Sequence, residues 1–151
     1  MKKGFERKFR QFASALERLD VEKQFLIAAN ELSDLALDLN KVQMYELGID
    51  AKGKPFGEYA SSTRAAKQRK GQRSDHITLR DSGSYQDEMF LEAKQVPIFI
   101  DTEDGKKGIL AKWNALGLYP PFEEQYKNEV GKLARKGIHR EIEKAKNKIL
   151  H

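Results

Sequence analysis

The sequence predicts an α+β domain in which long N-terminal and C-terminal helices pack on a small antiparallel sheet, with a long extended basic loop between them. Three observations predict it. Apolar residues recur at helical spacing in residues 1–40 and 120–151; glycines and Pro55 interrupt any periodicity in 41–76; and short β-type runs bounded by turn residues occupy 77–116. At 151 residues the chain has the commonest size of one domain, long enough to bury roughly two-thirds of its unfolded surface. A single domain over 1–151 is expected. The 39% apolar and 34% charged residues suit amphipathic helices with a wet surface better than a thick buried sheet.

Phe5, Phe9, Phe12, Leu16 and Leu19 fall four, three, four and three residues apart, which sets an aromatic stripe on one helical face. Such a stripe reads as core or subunit interface. Asp20 reads as an N-cap that restarts or bends the helix, because its carboxylate can accept the unpaired amides of the next turn. The second helical stretch carries Phe25, Ala29, Leu32, Ala36 and Leu39 on one face and is expected to end near Asn40. From Lys41 the pattern fails at Gly48, Gly53, Pro55 and Gly57, and Ser61-Ser62-Thr63 could cap only a short helix through Arg69.

Ile77-Thr78-Leu79 has strand composition, Asp81-Ser82-Gly83-Ser84 has turn chemistry, and Met89, Leu91 and Ala93 alternate with polar residues, which predicts a hairpin. Val96 to Ile100 is a second β-type run, with Pro97 tolerated at an edge or strand start. Asp104-Gly105 marks a turn, after which Ile109 to Ala111 returns as a strand or begins a short helix. Three or four strands are expected. Pro120-Pro121 opens a last helix in which Phe122, Tyr126, Val130, Leu133, Ile138, Ile142, Ala145 and Ile149 keep close to a 3.6-residue period. Gly131 and Gly137 each weaken that helix by about 1 kcal/mol relative to Ala.

The net charge of +5 is uneven: Lys52 to Arg80 holds eight Lys or Arg against Glu58 and Asp75, so a polyanion or acidic partner should meet this segment first. The expected contacts are Lys52, Lys54, Arg64, Lys67, Arg69, Lys70, Arg73 and Arg80, with Tyr59 as a stacking ring. The absence of cysteine excludes disulfides, thiolate zinc sites and a cysteine nucleophile. His76, His139 and His151 are too scattered for a metal site and read as surface histidines. Neither a Gly-x-Ser-x-Gly elbow nor a phosphate loop occurs, so no catalytic residue, cofactor or metal is expected. One constellation remains to weigh: Asp81 with Glu92 and Lys94 would suit a magnesium nuclease if their segments paired as a hairpin. No signal peptide or membrane-length apolar run occurs, so a cytoplasmic origin is expected.

Asn40 and Gln43, the turn from Gly48 to Gly57, the Tyr59, Ser61, Thr63 and Lys67 series, and Ile77-Thr78-Leu79-Arg80-Asp81-Ser82-Gly83 followed by Tyr85 form a recognisable set. With Leu116-Gly117-Leu118 before Pro120-Pro121-Phe122, the stretch from Leu39 to Ile149 resembles the phage minor-tail, tail-completion and virion-morphogenesis proteins. The family's Tyr-Gly or Phe-Gly is Leu116-Gly117 here, and the N-terminal Phe stripe has no counterpart. The resemblance implies a non-enzymatic virion protein of the head-to-tail region, assembled in the host cytoplasm as a homo-oligomeric ring. Its implied partners are copies of itself and the adjacent neck, portal or tail proteins. The alternative is non-specific nucleic-acid binding through residues 52–80.

Overall fold

The computed structural model describes residues 2–105 and 107–150. The chain is α+β, with a two-stranded antiparallel sheet and a long C-terminal helix. Its N-terminal part is three helices in succession: α1 (Lys2–Glu17), α2 (Val21–Glu31) and α3 (Ser33–Val42). Asp20 caps α2 as expected, its carboxylate accepting the Lys23 amide at 2.9 Å. A break at Leu32 separates α2 from α3, and α3 continues beyond Asn40 into a π-helical turn, Gln43–Leu47, that ends at left-handed Gly48. The expected end near Asn40 is too early because Asn40 and Gln43 are fully buried amides. A polar side chain in the core breaks a periodicity judged by apolarity alone.

Those two amides clamp a distant turn. Asn40 Nδ2 donates to the carbonyls of Ala115 (3.1 Å) and Gly117 (2.7 Å), Gln43 Nε2 donates to Gly117 (3.1 Å), and Gln43 Oε1 accepts the Tyr119 amide (2.8 Å). Helix α7 (Pro120–Leu150) starts immediately after, with proline at its first position as the sequence predicts. It lies along both α2 and α1.

The sheet holds two strands, β1 (Met89–Glu92) and β2 (Phe99–Thr102), rather than three or four. Ile77 to Leu79 is not a strand: Leu79 is left-handed at φ 54°, and the Thr78 amide is held by the Tyr59 hydroxyl at 3.0 Å instead of a ladder partner. Asp81 to Ser84 does turn the chain, but it leads through left-handed Gly83 into the single helical turn α5 (Ser84–Asp87). Ile109 to Ala111 falls in α6 (Lys107–Lys112). The stretch 77–116 is therefore mixed rather than β-rich. Inside 41–76, α4 (Ser61–Arg69) matches the short helix expected there, although its cap is Ala60 and no side chain caps it.

Two apolar clusters hold these elements. The first joins α2, α3 and α7 around Ala29, Ala36, Tyr126 and Val130; the second joins Met44, Phe56, Tyr85, Met89 and Leu110. Ile100 of β2 packs against both. The Tyr126 hydroxyl donates to the Ala29 carbonyl (2.9 Å), tying α7 to α2, and burial pushes that phenol up to about 12.

Candidate functional site

The basic segment folds back onto the molecule instead of extending from it. Phe56 is buried, the Ile77 amide donates to the Gly57 carbonyl (2.9 Å), and Asp50 closes the turn before it by accepting the Lys52 and Lys54 amides, both at 2.8 Å. Burial pushes the Asp50 carboxyl up, but those amides outweigh it and hold the group below the usual carboxylate range.

Eight cations that look equivalent in sequence divide into three kinds. Lys67 is buried: its ammonium donates to the Arg80 carbonyl and to Gln72 Oε1 and lies 5.0 Å from the centre of the Tyr59 ring. It is a structural residue, not a contact for a polyanion. Tyr59 is likewise engaged, its hydroxyl meeting both the Thr78 hydroxyl (3.1 Å) and the Thr78 amide, so it is not a free stacking ring. Arg64, Lys70 and Arg73 are paired, to Glu58 (2.8 Å), Asp81 (3.3 Å) and both Asp75 (2.9 Å) and Glu46. Lys52, Lys54, Arg69 and Arg80 are exposed and make no ion pair among the described residues.

Arg73 and Arg80 both lie against Tyr45, with ring distances of 5.8 and 5.1 Å. With Gln72, Thr78 and Ser82 they line a polar recess of about 290 Å³. The Arg73 guanidinium also holds the Asp75 carboxyl down to about 2, helped by His76 on the other carboxylate oxygen. His76 is not a surface histidine: its Nε2 is 2.9 Å from the Tyr45 carbonyl and its ring fills the space beside Gly48. His139 is exposed, and His151 lies outside the described residues.

The hairpin that a nuclease would need does not form, since β1 pairs with β2 and Asp81 lies on neither strand. Glu92 pairs with Lys94, Asp81 pairs with Lys70, and no cluster of His, Asp and Glu among the described residues could hold a metal.

The N-terminal stripe is largely uncovered. Phe5 is 69% exposed, Phe9 60% and Leu16 38%, while Phe12 is half-buried; Phe5 and Phe9 stack with ring centres 6.3 Å apart. On the hairpin Phe90 and Phe99 form a second exposed apolar region, and Val96 is also exposed. Among the described residues no helix is long and apolar enough to cross a membrane. No family model, curated protein or solved structure matches the chain.

Proposed function

We propose that the chain is a non-enzymatic structural protein of the phage head-to-tail region, acting as a homo-oligomeric ring that joins neighbouring virion components. The observation that carries this reading is the uncovered aromatic face of α1. Two stacked phenylalanines exposed on a long helix are costly in water, and an isolated apolar patch of this kind marks a contact surface. The resemblance over Leu39 to Ile149 supplies the kind of assembly, and the buried clamp of Asn40 and Gln43 gives two of its residues a structural task. A ring protein holds several neighbours at once, so faces left open in one copy become contacts in the assembly.

Electron microscopy and light scattering of the purified protein test the reading. Closed rings are the expected outcome, alone or on addition of portal or tail-completion components; a monomer under all these conditions would overturn it. The exposed cations Lys52, Lys54, Arg69 and Arg80 favour a second reading, non-specific nucleic-acid binding. Retardation of DNA at moderate salt by a protein that forms no rings would select that reading instead.

A further inference from the structure

The two uncovered apolar regions lie on different elements and differ in charge. On α1, which packs on α7, the half-buried residues Lys8, Phe12 and Ala15 share one side, and Phe5, Phe9 and Leu16 are rotated from it by roughly a fifth of a turn. A ridge of apolar side chains therefore runs beside the α1–α7 contact without being covered by it. From Phe5 to Glu17 the helix carries Arg7, Lys8 and Arg10 against Glu6 and Glu17, and Arg18 follows it directly, so the ridge stands on a basic element.

The hairpin presents the reverse combination. The register pairs Phe90 with Asp101 and Glu92 with Phe99, which places all four on one face of the sheet, opposite the inward Met89 and Thr102. Phe90 is 37% and Phe99 61% exposed, and with Gln95 and Pro97 these side chains border a shallow depression of about 390 Å³. Between residues 87 and 104 the chain carries Asp87, Glu88, Glu92, Asp101, Glu103 and Asp104 against Lys94 alone. Phe90, Pro97 and Phe99 make the apolar part of the depression. Its lining carboxylates Glu92 and Asp101 pair with Lys94 and Lys107, so the acidic excess comes from the exposed Asp87, Glu88 and Glu103 at the base of the hairpin.

We propose that α1 of one copy seats Phe5 and Phe9 in the outer face of the β1–β2 hairpin of a second copy. The inference rests on the ring reading and names the two surfaces that make the ring. Charge selects this pairing over the two symmetric ones: α1 against α1 brings basic helices together, hairpin against hairpin brings acidic strands together, and only α1 against the hairpin joins opposite signs. Because the two patches differ, the contact is head-to-tail, and repetition of a head-to-tail contact produces a closed ring when the rotation closes.

The absence of native cysteine makes the test direct, since both positions are exposed and accept substitution without touching the core. Full-length Phe9→Cys and Phe99→Cys proteins, prepared separately, are oxidised with a glutathione redox buffer alone and as a mixture, beside light scattering of the unsubstituted protein. A disulfide-linked dimer in the mixture and its loss in either variant alone is the expected result. The double variant should give a ladder ending in one closed species. Oligomers that form without the mixed adduct, or that cross-link equally in one variant alone, overturn this contact and leave the ring reading standing. Unsubstituted protein that stays monomeric at every concentration, alone and with portal or tail-completion components added, with no mixed adduct, removes both.

Discussion

At Gly48 the backbone is left-handed, with φ 62°, and the His76 ring occupies the space that a Cβ would need. Either fact alone disfavours a side chain; together they make Gly48→Ala costly, by more than about 1 kcal/mol from the backbone alone. Removing the ring as well should relieve the steric part, so Gly48→Ala with His76→Ala should be less destabilising than the sum of the two single variants, measured by urea denaturation. A second residue-scale expectation concerns Asp75, whose carboxyl Arg73 holds at about 2. A carboxyl depressed below its ordinary 3.8 contributes stability that is present above that value and is lost as pH falls through about 2. In Arg73→Ala the Asp75 carboxyl carbon should titrate at higher pH by NMR, toward the ordinary value, whereas Arg69→Ala should leave it unmoved.

Helix α7 contains two glycines in different surroundings. A Cβ at Gly131 would meet only the end of Arg135, at 3.9 Å, while one at Gly137 would run into the Gln24 side chain of α2. Gly131→Ala should therefore stabilise by up to about 1 kcal/mol through helix propensity. Gly137→Ala should gain less, because Gln24 must move first; the two shifts in thermal midpoint measure the difference. At this scale α1, the Asp20 cap and the Pro120 start were legible in the sequence, since each is fixed by neighbours within a turn or two. The third strand is not legible for the opposite reason: Tyr59 grips Thr78 from nineteen residues away, Leu79 is left-handed, and neither leaves a mark on composition. The engagement of Lys67 and Tyr59 is hidden from the sequence in the same way. A lysine that finds a carbonyl, an amide and an aromatic ring looks in sequence like any other.

Across the whole molecule, the sequence places basic residues at 52–80 and on α1, and acidic residues between 87 and 104. Opposed charge at a contact between copies predicts that assembly weakens as salt rises, because screening shortens the reach of surface charges to about 10 Å at 0.1 M. Sedimentation velocity across a salt series checks this. Apolar contact alone would instead hold or strengthen with salt. Within one copy, the shared position of Ile100 in both apolar clusters predicts that they melt together. Ile100→Ala should lower the stability of both clusters, by about 1–2 kcal/mol since Ile100 is only half-buried, seen as one transition by both tryptophan fluorescence and far-ultraviolet circular dichroism.

The Asn40 and Gln43 clamp has a consequence for synthesis. Their partners, Ala115, Gly117 and Tyr119, lie 74 to 77 residues further along the chain. While the chain is being made, α3 leaves the ribosome with two amides bound for the interior and nothing to receive them. The first apolar cluster cannot close dry over α3 until Tyr119 has emerged, long after α1, α2 and α3 themselves are made. Closure of this cluster is thereby deferred until α7 follows, and the face of α1 that lies on α7 stays open for the same interval.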